Sequence, residues 1–383
     1  MCAVSYHFCS NFMAVKNAVP SQPPRIHGGP DRFGAALHDF STNSNACAPC
    51  PAAQAAVRQA DASQYPDASY SALRQQLADF HGVDAQRVVL AASASEFIFR
   101  ITALTAQTAQ VRGQGGAVWL PPHSYGDYAQ AACAHRLAVA DQPDTAQLLW
   151  ACEPSSPLGL AQAGLDEMVS TFIASPPPAG AELEQGGISR HSLVGTDALC
   201  VLDCAYEPLR LSGAPTLTTA QLQSVWQLWT PNKALGLTGV RAAYAIAPVH
   251  AEAVVVALDQ LSPSWPVGAH GVALLQAWIR LDVQAWLADS LVTLRHWKAR
   301  QIDMCASLGW VCLPSDANFF CAKPALPQGL SLDSALAHLR KHGIKLRDTT
   351  SFGLPGHVRI SVQPPAMQDA LAAAWQIGVT PLQ

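Results

Sequence analysis

The 383-residue chain reads as an α/β protein, with a mostly parallel mixed sheet in a large domain, helices on both of its faces, and a smaller α+β domain after it. Three observations carry that reading. From Gln86 onward, short β-rich apolar runs alternate with helix-length segments, the pattern of βαβ units on a parallel sheet. Near Pro266 the alternation gives way to a long helical segment followed by short strands. Half of the residues are hydrophobic and only 13% are charged, against roughly 25% in an ordinary chain, so there is apolar surface for two cores.

Taken in order, residues 1–26 form an irregular leader ending in the proline-rich run Pro20 to Pro24. Residues 27–60 read as an N-terminal segment belonging to the small domain or to a dimer arm. The large domain is expected over 61–265, with strands at 87–91, 117–120, 147–152, 198–203, 225–229 and 241–247 and helices at 96–107 and 125–135. A Pro- and Gly-rich stretch at 175–187 reads as a surface insertion. Over 266–383, Leu274, Trp278 and Leu281 recur at helical spacing in a segment reaching about Cys305, which links to the small domain. Strands at 310–313, 318–322, 344–347 and 358–362 follow, with a helix at 331–342 among them.

Composition excludes several functions. Lys plus Arg total 23 and Asp plus Glu 27, so the net charge of -4 offers no footprint for nucleic acid or an anionic membrane. The longest apolar stretch, 272–294, contains Arg280, Asp282 and Asp289, whereas a membrane span needs about 20 mostly uncharged residues. No basic head precedes an apolar run at the N-terminus, as a secretory signal would require. Eleven cysteines include one close pair, Cys47 and Cys50, and no second pair at zinc spacing. They read as thiols of a cytoplasmic protein with no metal centre.

Chemistry is concentrated in two places. Asp203 ends the apolar run Val201-Leu202-Asp203 and is followed at once by Cys204-Ala205-Tyr206. An acid there sits where open α/β sheets place ligands, although many such acids only cap the next helix. Further on, Thr230-Pro231-Asn232-Lys233 leads through an apolar, glycine-containing loop to Gly239-Val240-Arg241. A lysine in such surroundings is poorly hydrated, which suits carbonyl chemistry; a solvated loop lysine is the ordinary alternative.

Together these residues resemble the class I/II aminotransferases, the fold-type-I pyridoxal-phosphate enzymes, over nearly the whole chain from His27. The resemblance implies pyridoxal 5'-phosphate as cofactor, with Lys233 as its covalent anchor and later a proton carrier. Asp203 would pair with the ring nitrogen and keep it protonated, and Tyr206 would contact the ring oxygen. Thr230 and Arg241 would hold the cofactor phosphate, with the backbone of Ser93, Ala94 and Ser95 at a helix N-terminus. Tyr125 would stack on the ring; without the family, Tyr125 and Tyr128 read as half-buried aromatics. Three features depart from the family: Ser156 stands where an Asn usually meets the ring oxygen, Ala92 to Ser95 replace the glycines usual in the phosphate-cup turn, and Asn232 replaces a Ser or Thr beside the lysine.

His27-Gly28-Gly29, the run around Asn43, and Tyr65-Pro66-Asp67 are similar to the threonine-phosphate decarboxylases of cobalamin synthesis, relatives of histidinol-phosphate aminotransferase. That similarity implies substrate recognition by His27 and Asn43, and a homodimer in which Tyr65 reaches the neighbouring cofactor phosphate. The low charge of the chain fits a surface hidden in such a dimer. In the C-terminal domain, Arg359 would clamp a carboxylate and Arg347 a second anion such as phosphate. The leading expectation is therefore decarboxylation of a phosphorylated amino acid, most simply threonine phosphate. The alternatives are transamination of the histidinol-phosphate type and a cofactor-binding protein that has lost activity.

Overall fold

A computed structural model describes residues 27–47, 49–113, 115–174 and 198–379; the leader at 1–26 and the expected insertion at 175–187 lie outside the described residues. The chain begins with β1 (His38–Asp39), α1 (Pro51–Gln59) and α2 (Ser71–His81). It continues through β2 (Val88–Ala91), α3 (Ala94–Val111), β3 (Ala117–Trp119), α4 (Gly126–Ala134), β4 (Ala138–Ala140) and β5 (Leu148–Cys152). Next come α5 (Leu165–Ala174), β6 (Leu199–Asp203), α6 (Thr219–Leu222), β7 (Trp226–Trp229), β8 (Ala243–Ile246) and α7 (Glu252–Gln260). Helices α8 (Ala269–Trp278) and α9 (Leu281–Ser307) precede β9 (Val311–Cys312), β10 (Phe319–Lys323) and α10 (Leu332–Lys341). The chain closes with β11 (Ile344–Lys345), β12 (Arg347–Asp348), β13 (Val358–Ser361) and α11 (Pro365–Val379).

The large sheet has the order β2-β8-β7-β6-β5-β3-β4. Strands β7, β6, β5, β3 and β4 run parallel, and β8 is antiparallel to both of its neighbours. Every residue of β2, β5 and β8 is buried, as continuous apolar runs covered on both faces must be. On one face Phe97, Ile98, Tyr128 and Leu258 from α3, α4 and α7 pack on Trp150 and Trp226. On the other, Leu77, Leu274, Trp278 and Leu287 from α2, α8 and α9 pack on Leu90 and Tyr244. The smaller sheet, β12-β13-β10-β9, encloses Phe320, Leu339, Ile360 and Trp375.

Four local features differ from the sequence expectations. Edge strand β4 was not anticipated, because Ala138 and Val139 are exposed and give no apolar alternation. The helix expected from Leu274 through Leu281 breaks at the extended Arg280, which caps α9. Helix α8 belongs to the large core, and only α9 spans from that core at Leu287 to the small one at Cys305. The strand expected at 344–347 divides at Leu346. Its first part pairs with β1, and its second pairs with β13 so that Arg347 stands directly opposite Arg359.

His81 offers a test of the packing between α2 and the sheet. Its Nε2 lies 2.8 Å from the Tyr244 hydroxyl, among the rings of Phe80, Trp229 and Tyr244. Burial pulls the imidazole down from 6.5 to about 4. Between those values the unfolded chain binds a proton that the folded protein refuses, so stability falls as pH drops through this window, by at most about 3 kcal/mol. Urea unfolding from pH 7 to pH 4 should show this loss in the wild type, and His81→Phe should lack that part of it.

Candidate active site

The carboxyl ends of the parallel strands open onto a cavity of about 700 Å³, closed by residues of the N-terminal segment and of the small domain. It is lined by His27, Asn43, Ser93, Ala94, Ser95, Tyr125, Ser156, Asp203, Tyr206, Thr230, Asn232, Lys233, Arg241, Arg347 and Arg359. Tyr65 is the one expected site residue that does not line it. That side chain is 77% exposed and stacks on Trp265 at 4.4 Å, outside the cavity of its own chain.

Asp203 ends β6 and is only 5% exposed. Its Oδ2 accepts a 2.6 Å hydrogen bond from the Tyr128 hydroxyl, and its Oδ1 accepts from the Ala205 N–H at 2.9 Å. Burial raises the carboxyl's proton affinity, while the Tyr128 hydroxyl and the Lys233 charge oppose that shift. Tyr128 is fully buried, stacked on Trp150 at 4.3 Å and 8° and met edge-on by Tyr125. Burial and the Asp203 charge hold its own proton firmly, so it remains a donor. Sequence reasoning left Tyr128 as a bystander. Its position one turn after Tyr125, with a hydroxyl on a helix leaving the same strand ends, is the signal that could have identified it.

Lys233 lies in the loop after β7. Its backbone carbonyl accepts from the Asn45 N–H at 2.9 Å, and Asn45 Nδ2 donates to the Ala234 carbonyl at 3.0 Å. The strap at 39–45 therefore holds the lysine loop from outside the sheet. Lys233 Nζ sits 4.9 Å from the centroid of the Tyr206 ring, whose hydroxyl accepts from Asn43 Nδ2 at 3.4 Å.

At the other end of the cavity, Ser93 caps α3 by accepting from the Glu96 N–H at 3.1 Å, and the N–H groups of Ala94 and Ser95 open the helix. Glu96 is turned away from this seat, onto the Ala92 N–H and Arg100. Thr230 Oγ1 is buried and, among the described residues, has no hydrogen-bond partner. Asn43 Oδ1 is in the same state. Buried polar atoms in this condition are costly unless a ligand completes them, so these residues fit a phosphate-bearing ring cofactor. Asn232 instead holds its own loop, donating to the Thr238 and Val240 carbonyls at 3.4 Å each.

The small domain contributes two buried arginines. Arg359 donates to Ser156 Oγ and to the Ser41 carbonyl, each at 3.1 Å. Ser156, which stands where the family's Asn meets the ring oxygen, thus has its hydroxyl oxygen engaged by Arg359. Arg347 donates to Ser351 Oγ at 2.8 Å and to the Asp348 carbonyl at 2.7 Å. Gly28 packs so closely that a Cβ there would stand 2.2 Å from the Ser41 carbonyl oxygen, which only glycine avoids. That contact brings the His27 ring within 6.1 Å of Tyr125. Ser41 and Phe352, also at the cavity, carried no sequence signal.

A family model described as aminotransferase class I and II matches residues 198–374. A histidinol-phosphate aminotransferase of Jannaschia sp. (strain CCS1) is 30% identical over 338 residues, covering 85% of this chain and 87% of that one. Among solved structures, the histidinol-phosphate aminotransferase of Sinorhizobium meliloti in complex with pyridoxal-5'-phosphate superposes with a TM-score of 0.72 at 22% identity, covering 95% of this chain and 97% of that one. The L-threonine-O-3-phosphate decarboxylase of Porphyromonas gingivalis superposes with a TM-score of 0.61 at 19% identity, covering 85% and 91%.

The Tyr128 bond to Asp203 has a measurable consequence. Tyr128→Phe removes a hydrogen bond that favours the charged carboxylate of Asp203, so its pairing with a protonated ring nitrogen, and with it the binding of pyridoxal phosphate, should weaken. Titration of the cofactor-free protein by absorbance measures this, and unchanged affinity would remove Tyr128 from the site.

Proposed function

The chain belongs to the aminotransferase class I and II family, and from that premise we propose that it binds pyridoxal 5'-phosphate through Lys233 and transfers the amino group of a phosphorylated amine, of the histidinol-phosphate type, to a 2-oxo acid. The observation that carries the substrate class is the pair of buried guanidiniums, Arg347 and Arg359, in the same cavity as Lys233 and Asp203. The two stand directly opposite across the β12–β13 ladder, and planar guanidiniums so placed suit the recognition of phosphate and carboxylate groups. The similarity to the Jannaschia histidinol-phosphate aminotransferase supports amino transfer, and this reading replaces decarboxylation, the leading expectation from sequence.

In this reading Thr230, Arg241 and the N–H groups of Ala94 and Ser95 receive the cofactor phosphate. Asp203 meets the ring nitrogen, Tyr206 the ring oxygen, and Tyr125 covers a ring face. When bound, the cofactor supplies an electron-accepting ring that stabilises charge on the amine-bearing carbon. Lys233 Nζ removes the proton from that carbon and later returns one. Arg347 and Arg359 orient the phosphate and carboxylate groups of the reactants, with His27 and Asn43 completing recognition. Tyr65, exposed on Trp265, is assigned to the phosphate seat of a second copy in a homodimer. Among the described residues no helix is long and apolar enough to cross a membrane, and the described cysteines are free thiols, which supports a cytoplasmic site of action.

Two observations favour threonine-phosphate decarboxylation as a second reading. The close Gly28 contact holds His27-Gly28-Gly29 at the cavity, and Ser156, standing where the family's Asn would be, accepts a hydrogen bond from Arg359. In that reaction carbon dioxide leaves, and a proton from Lys233 takes its place.

Assays of the cofactor-loaded protein on histidinol phosphate and on threonine phosphate, each with and without 2-oxoglutarate, separate the readings. Transamination predicts loss of the histidinol-phosphate amine only when the oxo acid is present. Carbon dioxide release from threonine phosphate without the oxo acid would overturn it in favour of the second reading, and no turnover on either would leave a binding protein. Lys233→Ala should abolish the visible absorption band of the bound cofactor; a band that persists would remove Lys233 as its anchor.

A further inference from the structure

Phe352 occupies an unusual position among the charges of the cavity. The Arg347 guanidinium carbon lies 4.8 Å from the centroid of its ring, and that of Arg359 lies 5.5 Å away. Both distances are within the reach of a cation–π contact, about 6 Å. Arg359 also stands 5.6 Å from the Phe319 ring, so its guanidinium has an aromatic contact from each of two phenylalanines. The two arginines face each other in register across β12 and β13 and are both buried. Burial, then the facing Arg359 charge, draws Arg347 down from 12.5 to about 10, which still leaves it charged at neutral pH. The Phe352 ring is thus a contact that the two guanidiniums share.

The ring is fixed by its backbone. The Phe352 N–H donates to the Thr349 carbonyl at 2.9 Å, and Thr349 is fully buried and bonds back to the Leu354 and His357 carbonyls. The Phe352 carbonyl accepts from His123 Nδ1 at 2.7 Å, a contact from the loop after β3 in the large domain. The next residue, Gly353, has φ +74°, which lets the chain turn away. The backbone that carries the ring is therefore held from both domains.

We propose that Phe352 is a specificity-determining residue: its ring keeps Arg347 and Arg359 as two separate anion seats, favouring ligands whose two negative groups are far apart over compact anions. The inference rests on the reading that these arginines bind the substrate's anionic groups. A side chain without ring faces would let the guanidiniums rearrange around one anion or turn to water. A phosphate at one end of a reactant and a carboxylate at the other, or the two carboxylates of a 2-oxo diacid, would then lose their matched spacing.

Isothermal titration of the cofactor-loaded protein tests this with two unreactive probes: glutarate, with separated charges, and inorganic phosphate, which is compact. The wild type should bind glutarate more tightly than phosphate. Phe352→Leu should weaken glutarate about tenfold while leaving phosphate as tight as in the wild type or tighter, and Phe352→Tyr, which keeps the ring, should restore the wild-type ratio. A parallel loss of both anions in Phe352→Leu, or no recovery in Phe352→Tyr, would mean a merely structural role and overturn the proposal. Equal glutarate binding by wild type and Phe352→Leu would overturn the spacing role alone. A wild type that binds neither anion would overturn the anionic-substrate reading as well.

Discussion

A carboxylate enclosed at the end of a central strand is expensive, and the groups gathered around Asp203 offset part of that cost. Its two oxygens are met by one hydroxyl and one backbone N–H, and the Lys233 charge lies near enough to offset part of its burial. Neighbouring strands supply the parts. Strand β5 brings Trp150, on which Tyr128 stacks; β6 ends in Asp203; and the chain leaving β7 carries Thr230 and Lys233. Parallel pairing brings these strand ends to one edge of the sheet, and the Asp203 register with Cys152 and Leu228 sets their depth.

The strap through Ser41 and Asn45 joins this fixed centre to the small domain. Ser41 accepts from Arg359, and Phe40 is bonded to both Lys345 and Ser361. A few residues later the strap hydrogen-bonds the backbone of Lys233 itself. Arg359 and the backbone of Lys233 are thus linked through one short stretch of chain. The same strap explains Gly28, whose backbone lies against the Ser41 carbonyl with no room for a Cβ.

Much of this was legible in the sequence, for identifiable reasons. Strands buried on both faces must be apolar throughout, so β2, β5, β6 and β8 stood out without an alternating pattern. The acid at a strand end and the lysine before a glycine-containing loop carried the family resemblance because several residues recur together at set intervals. Contacts that depend on folding carried no such signal. Nothing in the sequence pairs Tyr128 with Asp203, or Ser156 with Arg359. Two arginine-bearing strands were readable, but the split at Leu346 that puts the arginines face to face depends on β1 claiming the first half of the expected strand. The break before α9 was hidden because Leu281, exposed in the structure, happens to fall on the helical spacing of Leu274 and Trp278.

The central claim is that Asp203 and Lys233 jointly hold one pyridoxal phosphate. A crystal structure of the protein grown with that cofactor tests it most directly. The account predicts continuous density from Lys233 Nζ into the cofactor, the ring nitrogen within hydrogen-bonding distance of Asp203, and the phosphate against Thr230 and the start of α3. An unmodified Lys233, or a cofactor seated with its ring nitrogen away from Asp203, would contradict it.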